Sequence, residues 1–271
     1  MKQNITFIGG GNMAGAIIRG LLSSGLADAE QITATAKSEQ TCSALAERYC
    51  IRTTQDNRTA ASGADLVFLA VKPGLFPQVI GEIRDCIKPD ALIVSIAAGQ
   101  SIAAIEALFA APIKLIRAMP NTPALVGEAM SALCANAQVT ESELALAVSL
   151  FESFGKCRVI EESLMDAVIG VSGSSPAYVF LLIEAMADAA VADGIPRSAA
   201  YEFAAQAVLG AAKMVLETGL HPGVLKDQVC SPGGTTIEAV AVLEQEGLRS
   251  AVIKGQRACV QKARRMSAKE S

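Results

Sequence analysis

Asn4-Ile5-Thr6-Phe7-Ile8-Gly9-Gly10-Gly11-Asn12-Met13-Ala14 is the stretch that decides the fold. Asn4 to Ile8 is a short β-rich run, and Ala14 to Leu22 repeats apolar residues at helical spacing, so the glycines form the turn between a strand and a helix. From Gly9 to Ala14 the pattern is G-x-G-x-x-A. Gly9 permits the tight turn, Gly11 lets a pyrophosphate approach the backbone, and the small Ala14 lets the helix pack closely on the strand. Alone such a fingerprint also describes an ordinary glycine-rich turn. Its setting between a strand and a helix at the start of the chain favours a nucleotide cofactor.

Strand and helix signals alternate from there. The second strand reads as Gln31 to Ala36, and an NAD-preferring unit would carry an acidic residue near its end to hold the ribose 2′-hydroxyl. Ala36-Lys37-Ser38 stands there instead, a cation and a hydroxyl where NADP carries its 2′-phosphate, so NADP is expected with NAD possible. A helix over Glu39 to Tyr49, a brief strand near Ile51 and a short helix near Asn57 follow. Asp65 to Val71 is a continuous apolar run that suits a parallel strand covered on both faces. It ends in Lys72-Pro73-Gly74, and the strand Ala91 to Ile96 ends in Ala97-Ala98-Gly99. Both turns fall at carboxyl ends of strands, where an open doubly wound sheet binds ligands. Ile113 to Ala118 runs into the stiff loop Met119-Pro120-Asn121-Thr122-Pro123. Ala129 to Ala135 and Cys157 to Ile160 read as the last strands, around a helix from Glu141 to Phe154.

Near Glu162 the β signal stops and alanine-rich helical sequence begins. The expected architecture is therefore α/β: an N-terminal Rossmann-like doubly wound sheet over residues 1–161 and an all-α dimerisation domain over residues 162–271. Gly173-Ser174-Ser175-Pro176 reads as a helix entry with Ser175 as cap and Pro176 at the first position, the helix running to Asp193. Helices over Arg197 to Thr218, Leu225 to Cys230, Thr236 to Glu246 and Leu248 to Arg265 follow, with Met266 to Ser271 frayed. The two long helices are apolar on nearly every side, more than one small bundle can cover, which implies a homodimer with interlocking helical domains.

Ser231-Pro232-Gly233-Gly234-Thr235-Thr236-Ile237-Glu238 reads as two glycines before a Thr-x-x-Glu capping box, with Thr235 as cap and Glu238 reaching back to it. A helix start of this kind offers unpaired N–H donors to a small carboxylate or phosphate.

Composition removes other classes. The net charge of −4, with no basic cluster except the Arg264-Arg265 tail, leaves no footprint for nucleic acid or an acidic membrane. The longest apolar run, Pro176 to Asp193, contains Glu184 and Asp188, which argues for a helix between protein layers and against a membrane span. The glycine-interrupted N-terminus does not read as a signal peptide, so the chain is expected to start here and to be cytoplasmic. Seven cysteines without a C-x-x-C pair fit reduced thiols. With His221 the only histidine, neither a His-rich metal site nor a His-dependent triad is expected, and Gly170-Val171-Ser172-Gly173-Ser174 lacks the last glycine of a nucleophile elbow.

Pro222-Gly223-Val224-Leu225-Lys226-Asp227-Gln228-Val229-Cys230, running on through Ser231 to Val240, resembles the signature of pyrroline-5-carboxylate reductases. Phe7 to Met13, Ala70 to Pro73, Ala97 to Gly99, Met119 to Pro123 and Ser172 to Tyr178 resemble the same family in the same order, so the likeness spans essentially the whole chain. It implies NAD(P)H-dependent reduction of the cyclic imine 1-pyrroline-5-carboxylate to L-proline, the last step of proline biosynthesis, by a homodimer or an oligomer built from dimers. By resemblance Ser231, Gly233 and the amides of Gly234 and Thr235 cradle the substrate carboxylate, with Met119 and Asn121 nearby. Thr236 faces the ring nitrogen as the catalytic residue. Ile8, Gly9, Gly11, Asn12, Met13, Lys37, Ser38, Asn57, Ala70, Val71, Lys72, Pro73, Ala97, Ala98 and Gly99 are the implied cofactor contacts, Gln228 is a weaker candidate, and no metal is implied. The end of the second strand, Ala36-Lys37-Ser38, departs from the family patterns. A β-hydroxyacid dehydrogenase would need a lysine early in the helix after Gly173, and Pro176-Ala177-Tyr178-Val179-Phe180 has none. A non-catalytic NADP sensor would have no need for a carboxylate cradle.

Overall fold

The computed structural model describes residues 2–267. Of the end expected to fray, Met266 and Ser267 are helical, and the rest lies outside the described residues. The first elements are β1 (Ile5–Ile8), α1 (Asn12–Ser23), β2 (Ile32–Thr35), α2 (Glu39–Tyr49), β3 (Arg52–Thr54), α3 (Asn57–Ser62) and β4 (Leu66–Leu69). After them come α4 (Phe76–Ile83), β5 (Leu92–Ser95), α5 (Ile102–Phe109), β6 (Lys114–Met119), β7 (Ala129–Ala135), α6 (Glu141–Glu152) and β8 (Gly155–Val159). The strands form one eight-stranded sheet in the order β3-β2-β1-β4-β5-β6-β7-β8. Every pairing is parallel except β6 with β7, which is antiparallel. The strand order reverses between β1 and β4, and the crevice at their carboxyl ends is where a doubly wound sheet receives its ligand.

Alternation of side chains across the strands builds a core on each face. Ile5 and Phe7 point to one side, where Phe7 stacks on Phe68 at 4.5 Å between ring centres and Phe151 and Phe154 close the layer from the α6 side. Ile8, Val67, Leu69 and Ile93 point to the other, covered by Phe76, Val79, Ile80 and Ile83 of α4 and by Ile102, Ile105 and Phe109 of α5. Both helices carry their apolar residues at helical spacing on one face, a period that the sequence reading left unassigned. Local signals set the starts: Ser38 accepts from Thr41 N–H to cap α2, Asp56 accepts from Arg58 and Thr59 to cap α3, and Ser101 accepts from Ala104 to cap α5.

The remaining elements are a 3₁₀ turn over Glu162–Leu164, α7 (Met165–Val168), a π-helical turn over Ile169–Gly173, α8 (Ser175–Ala192), α9 (Arg197–Thr218), α10 (Pro222–Val229), α11 (Thr235–Gln245) and α12 (Leu248–Ser267). The expected helix entry is corrected: Ser175 is already the first residue of α8, and helical turns lead up to it from Glu162 to Gly173, so the helical stretch begins well before the Gly173-Ser174-Ser175 entry. The π turn accommodates Pro176. Ser174 N–H donates to Ile169 O, one residue further back than in an α-helix, so the hydrogen-bond ladder is already out of step where proline's missing N–H falls. This run is by length and composition long and apolar enough to cross a membrane, the one such helix among the described residues.

By contacts the chain divides into two compact units, one of residues up to Ser174 together with those from Cys259 on, the other Ser175–Ala258. The first reaches past Glu162 because Met165 is fully buried in the α4–α5 core. In the second, α8 and α9 pack on each other yet bury only Ala187, Ala200 and Ala204. The expectation that α8 lies between protein layers is not met within one chain, since Phe180 and Leu181 are each more than 60% exposed, as are Phe203 and Leu216 on α9.

Candidate active site

The glycine turn is built as its sequence requires. Gly9 adopts φ +103°, and a Cβ added there would lie 2.8 Å from Ala70 O, so only glycine fits against the end of β4. Its N–H donates to Thr35 Oγ1 at 3.0 Å, and Ala70 N–H donates to Ile8 O at 2.9 Å, tying the turn to the ends of β2 and β4. Thr35, the last residue of β2 and buried, was not anticipated; a threonine hydroxyl at the strand end beside the glycine turn was the available signal. Gly11 is different. It is the N-cap of α1 without a side-chain cap, and an added Cβ would meet nothing within 4 Å. The first N–H groups of α1 therefore face open space, the arrangement a pyrophosphate fits. Gly10, Gly11 and Asn12 open on a hollow of about 190 Å³ bounded by Thr41, Arg48 and Tyr49. Ile8 is buried and offers only backbone, and Met13 packs against the core.

Lys37 follows β2 and is exposed, while the Ser38 hydroxyl is engaged as the α2 cap and with Thr41 Oγ1 at 2.9 Å. Both sit at the N-terminus of α2, where the helix dipole favours an anion. Asn57 opens α3 and donates its amide to Glu82 Oε2 at 2.7 Å. Val71 and Pro73 are half-buried and Lys72 is exposed. Ala97 is buried, and Gly99 adopts φ +79° before Ser101 caps α5. Met119 ends β6, buried. Asn121 has its side-chain amide engaged by the fold, Nδ2 donating to Ser172 O at 3.0 Å and Oδ1 accepting Met130 N–H at 3.0 Å. Its side chain braces the loop against β7 and the π turn.

Sequence reasoning also missed Arg117. It stands in the apolar strand Lys114–Met119, 3% exposed, with Nη1 3.0 Å from Glu162 Oε1 and Nη2 3.5 Å from Asp166 Oδ1. A lone charge inside a buried strand was the available signal. Its cross-strand partner Cys134 has its thiol pushed up to about 11 by burial and by the Glu162 charge, against the opposing pull of Arg117. No group of three or more histidine, cysteine or acidic side chains could hold a metal ion among the described residues.

In the second unit the turn before α11 differs from the expected capping box. Helix α11 begins at Thr235 with Gly234 as N-cap and no side-chain cap bond, so neither Thr235 nor Glu238 serves the helix start. Gly234 N–H donates to Ser231 O at 3.1 Å and Gly233 adopts φ +67°, a tight turn that ends one residue before the expected cap. A Cβ on Gly234 would overlap Ser231 Oγ, so glycine is what brings that hydroxyl against the helix start. The Gly234 amide is thus committed to the turn. The N–H groups of Thr235 and Thr236 stand in the first turn of α11, where no helical acceptor reaches them. The arrangement gives a second anion-seeking helix end, flanked by the hydroxyls of Ser231, Thr235 and Thr236. Gln228 lies in α10, whose start is capped by His221 Nδ1 accepting from Gly223 N–H.

Both parts of the chain resemble known proteins. Residues 162–266 match the family model for pyrroline-5-carboxylate reductase dimerisation, and residues 4–99 match that for NADP oxidoreductase, coenzyme F420-dependent. The pyrroline-5-carboxylate reductase of Escherichia coli is 50% identical over 267 residues, covering 98% of this chain and 99% of that protein. A pyrroline-5-carboxylate reductase structure from Coxiella burnetii superposes with a TM-score of 0.92 at 39% identity, covering 98% of this chain and 99% of that one. The Plasmodium falciparum pyrroline carboxylate reductase, solved with NADP bound, gives a TM-score of 0.88 at 28% identity over 98% of both chains. On the glycine turn of the sheet, the hydroxyl-rich turn before α11 and this full-length likeness, the chain belongs to the pyrroline-5-carboxylate reductase family.

Proposed function

We propose that the two helix ends divide the work of one reductase site, the α1 end holding the cofactor pyrophosphate and the α11 end holding the substrate carboxylate. The reaction is the NAD(P)H-dependent reduction of 1-pyrroline-5-carboxylate to L-proline, the last step of proline biosynthesis. The observation that carries the division is the uncapped start of α11, where three hydroxyls and two helical N–H groups remain for a ligand. The carboxylate sits on the Ser231 hydroxyl and the Thr235 amide, Gly233 and Gly234 shaping the turn beneath it, with Met119 and the backbone of Asn121 lining the ring. Bound NAD(P)H supplies the hydride that adds to the imine carbon. Ala70 to Pro73 and Ala97 to Gly99 flank the nicotinamide, while Asn12, Lys37, Ser38 and Asn57 serve the pyrophosphate and adenosine end.

Thr236 faces the ring nitrogen. A threonine hydroxyl is too weak an acid to protonate the imine, so the proton is on nitrogen before hydride arrives, and Thr236 Oγ1 accepts its hydrogen bond and fixes the ring. Lys37, with no acidic residue beside it, favours NADP over NAD.

The protein works as a homodimer whose partner covers the exposed apolar faces of α8 and α9, and the site is completed across that interface; a monomer at micromolar concentration in light scattering would contradict this. The apolar run Glu162–Ala192 is then buried against protein, and seven unpaired thiols suit a reducing, cytoplasmic compartment. The test of function is NADPH absorbance followed with pyrroline-5-carboxylate and with 3-hydroxyacids. Consumption with the imine alone supports the reading, and no consumption with the imine overturns it.

A further inference from the structure

Arg117 is a permanent charge on a buried sheet face, and its contacts are shared ones. Glu162 Oε1, 3.0 Å from Arg117 Nη1, also accepts the backbone N–H of Ile102 at 2.7 Å. Asp166 Oδ1, 3.5 Å from Nη2, also accepts from Ser267 Oγ at 3.3 Å. One guanidinium thereby ties β6 to the helical stretch after β8, to the end of α12 and to the start of α5. The last link bears on catalysis, because only Gln100 and Ser101 separate Ile102 from Gly99. Gln100 is 5% exposed and Ser101 is fixed as the α5 cap, so neither gives slack. Three residues reach at most about 10 Å, which means the anchor at Ile102 limits where the Ala97–Gly99 turn can lie.

Burying the Arg117 guanidinium costs desolvation that a partly exposed carboxylate only partly returns, so the pair is a weak stability device. What an apolar pair would lack is the shared acceptor. The carboxylate, held by a guanidinium that cannot lose its proton, presents a fixed oxygen to the Ile102 amide.

We propose that Glu162, locked by Arg117, is a positioning residue for hydride transfer, setting the nicotinamide against the imine by anchoring the Ala97–Gly99 turn through Ile102 N–H. This rests on the assignment of that turn to the nicotinamide.

The test uses the full chain carrying Glu162→Ala, Glu162→Gln or Gly99→Ala. Hydride transfer is read in a single turnover at saturating NADPH and pyrroline-5-carboxylate, and expressed per site titrated with adenosine 2′,5′-bisphosphate, which lacks a nicotinamide. Glu162→Ala is expected to slow transfer per site by about tenfold or more while affinity for the bisphosphate stays within about twofold. Glu162→Gln, whose amide oxygen can still accept from Ile102, is expected to return transfer to within about threefold of the parent. A protein that merely folds less well would lose sites but keep its rate per site, and that result for Glu162→Ala would overturn the proposal, as would a glutamine variant no better than alanine. Gly99→Ala forces a side chain onto φ +79° and must disturb the turn directly. If it slows transfer and Glu162→Ala does not, the anchor is refuted and the nicotinamide turn stands. If it changes nothing, the turn assignment fails and the proposal with it.

Discussion

Two alanine substitutions two residues apart in the glycine turn should separate folding from cofactor binding. At Gly9 the backbone is at φ +103°, and an added Cβ would sit 2.8 Å from both Ala70 O and Val71 Cγ1. Holding a non-glycine residue there costs roughly 1–3 kcal/mol of backbone strain. Relieving the overlap with β4 backbone costs about 1–3 kcal/mol more. Gly9→Ala should therefore destabilise the cofactor-free protein by about 2–6 kcal/mol, a fall in melting temperature of roughly 5–20 °C for a unit of this size. At Gly11 φ is −79° and nothing lies within 4 Å of an added Cβ, so the only folding cost is a poorer N-cap, about 0.5–1 kcal/mol. The methyl group occupies the space that the pyrophosphate needs. Gly11→Ala should move the melting temperature by only about 1–4 °C, while raising the KM for NADPH by about tenfold or more, which is ~1.4 kcal/mol of lost binding. Calorimetry without cofactor, and initial rates with varied NADPH, measure the two quantities. A Gly11→Ala protein that binds NADPH like the parent would refute the placement of the pyrophosphate at α1, and a Gly9→Ala protein as stable as the parent would refute the strain argument.

Thr236→Ala should leave the melting temperature nearly unchanged, since α11 takes no cap from that hydroxyl, and should lower kcat by about 10- to 100-fold; unaltered steady-state rates would return Thr236 to an ordinary helix residue. Lys37→Ala should raise the KM for NADPH while sparing NADH, and equal effects on the two cofactors would remove Lys37 from the site. Burial holds the Cys134 and Cys157 thiols up at about 11, above the ordinary 9.0, so between those values the unfolded chain releases protons that the folded chain keeps. Stability from these groups is complete below about pH 9 and is lost as pH rises toward about 11; the urea midpoint should fall over that window, and less so in a variant with both replaced by alanine. In the native protein at neutral pH a thiol reagent should modify exposed Cys50 well before buried Cys134, and the reverse order would contradict the burial.

The sheet and its switch point were legible because their signals are local. Apolar runs ending in small-residue turns mark β4 and β5, and the glycine pattern marks the turn that leaves β1. The features that were not legible depend on hydrogen bonds that distant or out-of-register groups decide. Pro176 reads as a helix start, yet the π turn at Ile169–Gly173 carries the helix past it. Thr235-Thr236-Ile237-Glu238 spells a capping box, but the turn closed by Gly234 N–H on Ser231 O shifts the cap to Gly234 and releases the Thr235 hydroxyl, which then stands free beside that of Thr236. That shift matters for function, since a hydroxyl spent on its own helix is not offered to a substrate. Asn121, expected as a ligand contact, also braces the loop against β7 and the π turn, a tie to residues that its local sequence does not announce. Arg117 and Glu162 lie 45 residues apart, and nothing in the spacing of either announces the other.

The most direct test of the two-ended site is a crystal structure of the protein with NADP⁺ and L-proline. The account predicts the proline carboxylate on the Ser231 hydroxyl and the Thr235 amide, its ring nitrogen beside Thr236 Oγ1, and the pyrophosphate at the start of α1 over Gly11. A proline carboxylate held by a side-chain cation away from α11, with Ser231 and Thr236 untouched, would contradict it.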